Sequence, residues 1–193
     1  ALDSVGGWIS HLFEYISGSL KEVTFEVYAL EDIKAADGES EDYYKKDDLI
    51  ATITTDETGV AKLTDIPLGK YYVKEKETAN GYVLDSTARE IDLTYRDQDT
   101  AEVTYSSDWQ NNRQKAEVKV LKKEKDSDRV LEGAVFALCN KEDIVNANGD
   151  VILKADTVIE EQATDKEGKL TFTADLPIGY TYYVKETSPA PGF

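Results

Sequence analysis

Lys122 alternates with Val118 and Val120, so a strand over these residues turns its amine to the same face as two valines. An amine held among apolar side chains is penalised as an ammonium and becomes a nucleophile. The competing reading is a solvated lysine, the usual state of that side chain, and the alternation favours the inward one. Two carboxyls have matching surroundings, because Glu75 and Glu186 each close a Tyr-Tyr-Val-Lys-Glu run. Each either faces inward, where burial favours the protonated acid, or lines a solvated strand edge. His11 has no carboxylate, Ser or Cys at motif spacing, and Cys139 falls on the face opposite Phe136 and Leu138. Both read as bystanders. No GxSxG, P-loop or HExxH pattern occurs and no nucleophile–base–orienter set is visible, so the chain is not expected to be an enzyme.

The acidic runs Glu39 to Asp42, Asp47-Asp48 and Glu160-Glu161 read as solvated charge. Asn146-Ala-Asn148-Gly-Asp150 lacks the downstream Glu and most oxygen donors of a calcium loop, so no metal or other cofactor is expected.

These groups come in pairs because the chain repeats itself. VTFEVYALEDI from Val23 returns as AVFALCNKEDI from Ala134, and IPLGKYYVKE (Ile66 to Glu75) returns as LPIGYTYYVKE (Leu176 to Glu186). ANGY (Ala79 to Tyr82) returns as APGF (Ala190 to Phe193). Subtracting Phe25 from Phe136, Glu75 from Glu186 or Gly81 from Gly192 gives 111 each time. That period is the size of a compact domain, well beyond the roughly 20–50 residues of a solenoid repeat.

Most of each copy has period two. Val23, Phe25 and Val27 alternate with polar residues, as do Ile91, Leu93 and Tyr95, then Val103 and Tyr105, and later Ala134, Phe136 and Leu138. Turn signals separate these runs: Asp37-Gly38, Asp56-Glu-Thr-Gly59, Asn148-Gly149 and Asp165-Lys-Glu-Gly168. Short strands without helical blocks between them indicate an all-β chain of two tandem antiparallel sandwiches. The expected cores include Phe25, Val27, Val103, Phe136 and Leu138. The expected boundaries are 1–19 for an N-terminal segment, 20–113 for domain 1 and 114–193 for a C-terminally shortened domain 2. Domain 2 has no counterpart to the strands between Tyr82 and Asn111, so its sheet is expected to keep an unpaired edge that accepts a strand from another chain.

The N-terminal segment departs from period two. Trp8, Ile9, Leu12, Phe13 and Ile16 fall on one face of a helix, flanked by Gly6-Gly7 and Gly18-Ser19, which predicts a short amphipathic helix over about residues 8–17 in preference to a poorer alternating strand with Ile9, Phe13 and Tyr15 on one face. Three readings of it stand side by side: a segment packed on an open sandwich edge, a grafted peptide, or a recognition helix presenting Trp8, Leu12, Phe13 and Ile16 to a partner groove. The last, a natural or engineered binding module, is the alternative function.

Composition narrows the partners. With 22 Lys plus Arg against 39 Asp plus Glu, the formal charge is −17, which disfavours nucleic acid and anionic membrane surfaces. One cysteine excludes an intrachain disulfide framework, and the apolar runs are too short to enter a bilayer.

Four motifs in order, LEGAVFAL, DKEGKLTF, LPIGYTYYVKE and SPAPGF, resemble the SpaA-like, Cna B-type modules of Gram-positive surface proteins and pilins. The resemblance runs from about Leu20 to the end and occurs twice. It implies prealbumin-like sandwiches in an extracellular stalk, adhesin or pilin on the cell wall, with a host ligand or a neighbouring subunit as partner. It also implies a spontaneous bond between a lysine amine and an asparagine amide, promoted by a buried glutamic acid, that ties the first strand to the last. Such a bond raises the barrier to unfolding under shear.

Carried over residue by residue, the resemblance gives Lys122 as the amine and Glu186 as the acid of domain 2, with the asparagine missing. In domain 1 it gives Glu75 as the acid and Asn111, next to Asn112, as the amide. The position one period before Lys122 is His11, so domain 1 lacks the amine. Neither copy holds a complete set, and no intramolecular Lys–Asn bond is expected.

Overall fold

The structure, a computed structural model, describes the backbone of Trp8–Ile9 and residues 13–193. Its strands are β1 (Trp8–Ile9), β2 (Thr24–Ala29), β3 (Leu49–Thr54), β4 (Gly69–Glu77), β5 (Arg89–Leu93), β6 (Lys119–Leu121), β7 (Val135–Asn140), β8 (Ile144–Val145), β9 (Val151–Leu153), β10 (Val158–Ala163), β11 (Lys169–Thr171) and β12 (Tyr182–Ser188). The chain forms two compact units, Ser17–Gln114 and Lys115–Phe193 together with Ala1–Ile16.

In the unit of residues 17–114 the strand order is β3-β2-β4-β5, all antiparallel. The alternation of β2 puts Phe25, Val27 and Ala29 into a core with Val23, Ile33, Tyr71 and Val73. The expected strand at Val103 and Tyr105 does not form: both lie in irregular chain, Val103 half-buried and Tyr105 exposed. Alternation over so few residues is met equally well by an extended loop laid on a core.

The other unit repeats this plan. β10-β7-β12 matches β3-β2-β4, and Glu186 stands opposite Phe136 as Glu75 stands opposite Phe25. A two-stranded sheet of β6 and β11 forms its second layer. The core is Leu138, Ile144, Ile159, Leu170, Phe172 and Leu176 with their neighbours, and Val118, Val120 and the half-buried Phe136 pack on it. Among the described residues β12 pairs with β7 alone, whereas its counterpart β4 also pairs with β5.

Two small devices recur in both units. Thr55 Oγ1 donates to the Leu20 carbonyl (2.8 Å) and accepts the Val23 amide (2.9 Å). Thr164 Oγ1 does the same with the Leu131 carbonyl (2.7 Å) and the Ala134 amide (3.0 Å). Between those clamped residues the chain needs a left-handed backbone. Gly133 supplies it at φ 82°, and Glu22, one period earlier, adopts it at φ 61° despite its side chain.

The predicted helix over 8–17 is not found. Trp8–Ile9 are β1, paired antiparallel with β10 (Trp8 opposite Glu161, Ile9 opposite Glu160), and residues 13–20 have no regular structure. A helix of about ten residues is marginal in water, and the edge of β10 offers N–H and C=O groups for a strand to pair with. Two side chains of the expected recognition stripe are described. Phe13 packs on the core of the unit of residues 115–193, and Ile16 is 97% exposed. Leu12 and His11 lie outside the described residues. The segment therefore joins the C-terminal sandwich and is not the first strand of the N-terminal one.

Candidate functional site

Each unit contains one of the expected polar groupings. In the unit of residues 17–114, β4 carries Glu75 into the interior, where it is 2% exposed. The stretch after Ser107 runs beside residues 81–85: Asn112 O accepts the Val83 amide and Gly81 O accepts the Gln114 amide, both at 2.7 Å. Side chains 109, 111 and 113 turn inward while 108, 110, 112 and 114 face solvent. This register decides between the two neighbouring asparagines. Asn111 Nδ2 reaches both Glu75 oxygens at 2.8 Å and the Val83 carbonyl at 3.1 Å, and Asn112 is exposed.

Glu75 also accepts the Asp85 amide at 2.8 Å. Aromatic walls close the site: Phe25 meets Trp109 edge-on with centroids 5.0 Å apart, and the Arg89 guanidinium lies 3.6 Å over the Trp109 ring while donating to Asp108 O. Acid and amide are thus in contact, the acid buried and the amide half-buried. Among the described residues no lysine pairs with Glu75.

In the other unit the amine and the acid meet. The Gly168 carbonyl accepts the Lys122 amide (2.8 Å), and Lys122 O accepts the Leu131 amide (3.1 Å). Gly168 has φ 70°, and a Cβ there would stand 2.7 Å from Lys122 O, so glycine is required for this approach. Lys122 Nζ lies 2.8 Å from Glu186 Oε2, with the two side chains 26% and 32% exposed. Water reaches both groups, and the contact is a charge-assisted ion pair. No asparagine side chain joins it among the described residues.

The other sequence-level candidates resolve into structure. Cys139 is fully buried in β7. Asn146 Oδ1 accepts the Asn148 and Asp150 amides at 2.9 Å, shaping the β8–β9 turn. Asp42 pairs with Lys45 (2.6 Å) and Lys34 (3.1 Å), and these contacts hold its carboxyl below the usual aspartate range.

Glu160 reverses the expectation of solvated charge. It is fully buried and accepts the Thr173 amide (2.9 Å), the Ala174 amide (2.8 Å), the Thr173 hydroxyl (3.0 Å) and the Gln162 side-chain amide (2.7 Å). These donors satisfy its lone pairs and tie β10 to the chain that follows β11. Sequence reasoning also missed Asn140, fully buried, whose Nδ2 donates to the Glu142 and Lys154 carbonyls while its Oδ1 accepts the Thr157 amide. The Thr55 and Thr164 clamps did leave a signal, since Thr-Asp-x-x-Gly occurs at both places.

Comparison with known proteins agrees with this plan. A search of curated proteins finds no significant match. Among solved structures the chain is similar to the Bacillus anthracis TIE protein, with 28% identity and a TM-score of 0.56 over 91% of this chain and 26% of that one. The chain therefore spans about a quarter of that protein's length. Matches of lower similarity include the shaft pilin spaA of Lactobacillus rhamnosus GG (19% identity, 90% of this chain and 79% of that one, TM-score 0.33) and the major pilin subunit of Bacillus cereus (14% identity, 88% and 60%, TM-score 0.34). The model of the SpaA prealbumin-like fold domain matches residues 16–109 and again 116–193, so the chain belongs to that family, as two tandem copies.

Proposed function

We propose that this chain is a non-enzymatic stalk or adhesive segment of a Gram-positive cell-surface protein, extracellular and wall-bound, whose partners are a host ligand or neighbouring subunits of the same assembly. Family membership gives the class, and the observation that carries the reading is the pair of half-sites one period apart. Glu75 with Asn111 is an acid–amide pair without its amine, and Lys122 with Glu186 is an amine–acid pair without its amide. A Lys–Asn bond forms when a neutral lysine nitrogen attacks the asparagine amide carbon and ammonia leaves, so all three groups must converge in one site. Among the described residues neither unit brings three together.

Intact-mass spectrometry of the purified chain is expected to give the sequence mass with no ammonia lost. A mass short by one ammonia, mapped to a Lys–Asn cross-linked peptide, would refute the half-site assignment. A peptide of residues 82–114, which carries Asn111, is expected to couple to the unit bearing Lys122 with loss of ammonia, and Lys122→Ala is expected to abolish coupling. Antibody labelling of intact host cells tests the location: absence of surface signal in cells that make the protein would refute a stalk.

A further inference from the structure

The segment that begins the chain does not belong to the sandwich that follows it. β1 adds to the free edge of β10, Phe13 packs on the core of the unit of residues 115–193, and the Tyr15 hydroxyl donates to the Asp175 carbonyl at 2.7 Å. Residues up to Ile16 group with that unit, and the whole unit of residues 17–114 lies in sequence between the docked segment and the sandwich on which it docks. From this topology we infer that β1 and its anchors Phe13 and Tyr15 form a mechanical clasp, which keeps tension along the chain off the unit of residues 17–114 until the clasp opens. The use of such a clasp on a cell rests on the stalk reading above; its existence does not.

The direction of load makes the clasp the first element to yield. Trp8, Glu161, Ala137 and Lys185 stand in one row across the sheet, and Ile9, Glu160, Leu138 and Val184 in the next. β1 and β12 are therefore antiparallel and on opposite edges. The N-terminal end of β1 and the C-terminal end of β12 lie at the same end of the sheet. A pull between the two ends of the chain acts across the strands, along the ladder hydrogen bonds, and opens them one after another instead of loading them together. β1 contributes only two residue pairs, whereas β12 contributes six. When tension falls the segment is still tethered, so its high effective concentration at β10 recloses the clasp.

Pulling the full chain between its termini by single-molecule force spectroscopy tests the device. The expected trace has a short, low-force extension first, followed by unfolding of the unit of residues 17–114, whose chain adds about 300 Å of contour. Phe13→Ala is expected to lower the force of the first event, and Ile9→Pro combined with Phe13→Ala to remove it, with the later unfolding forces unchanged. A companion measurement locates the docking. Directly opposed strand residues lie about 4.5–5.5 Å apart between Cα atoms, within disulfide reach, so Trp8→Cys with Glu161→Cys should oxidise to near completion in the folded chain. A first event that is absent from the native chain, or unchanged in both variants, would overturn the clasp. So would failure of the cysteine pair to close. Both results come from purified protein, so they stand apart from the cell-surface labelling that tests the stalk reading.

Discussion

Replacing Glu160 by alanine removes an acceptor that four separate donor groups share in a fully buried site. The Thr173 hydroxyl and the Gln162 amide can turn elsewhere, but the Thr173 and Ala174 backbone amides are fixed by the chain that carries them. Each buried donor left unpaired costs about 1–3 kcal/mol, so two give a loss of about 4 kcal/mol in the C-terminal sandwich. Glu160→Gln keeps the volume and one acceptor oxygen but sets an NH2 against a row of donors, and about 2–3 kcal/mol is expected. Thermal unfolding of the full chain is the assay, followed by hydrogen exchange to tell the units apart. For a unit of this size about 4 kcal/mol lowers Tm by roughly 15–30 °C, on the basis of 4–8 °C per kcal/mol. Glu167→Gln, at an exposed turn position, serves as the control, with a change within about 0.5 kcal/mol. A Glu160→Ala chain whose C-terminal sandwich melts within a few degrees of the native one would refute the reasoning, as would equal loss in both units.

Thr55→Val and Thr164→Val each remove a hydroxyl that bonds two backbone groups, and each is expected to cost about 2 kcal/mol in its own unit only, read by denaturant unfolding with hydrogen exchange. Burial pushes the Tyr71 phenol up to about 12 from its ordinary 10, so the folded N-terminal sandwich holds the proton after the unfolded chain has released it. Stability from this source is intact below pH 10 and falls as pH rises from 10 to about 12; Tyr71→Phe should flatten that fall in an alkaline unfolding series.

Much of the fold was legible because it repeats. A strand with one buried face alternates strictly, and β2 and β4 did so through Phe25, Val27, Tyr71 and Val73. The inward face of Lys122 followed from the same rule, since Lys122, Val118 and Val120 alternate, whereas Glu75 and Glu186 were singled out by the family resemblance and hold equivalent registers. Asn111 was separable from Asn112 only through the pairing of residues 109–114 with 81–85, a contact about thirty residues away along the chain that no local pattern encodes. Glu160 was misread for a related reason. Glu160-Glu161 looks like surface charge when written out, and only the Thr173 and Ala174 amides arriving from the chain after β11 make burial tolerable.

Subtracting a period is valid only while both copies follow the same path. From Leu20 and Leu131 onward they do: the clamped carbonyl, the left-handed residue at 22 or 133 and the buried Val23 or Ala134 fall in step. Upstream of Leu20 the paths divide. In the C-terminal copy, Lys122 is held between Gly168 and Leu131 and followed by an isolated bridge from Lys123 to Val130. In the N-terminal copy, Phe13 packs on the core of the other sandwich and residues 13–16 group with it, so the equivalence of the two copies is not carried upstream of Leu20. Among the described residues the N-terminal unit has no strand in the place that β6 takes in the other. A His11→Lys substitution is expected to leave the Glu75–Asn111 site without a cross-link in the intact-mass measurement, because Trp8–Ile9 and Phe13, on either side of that position, are held by the other sandwich.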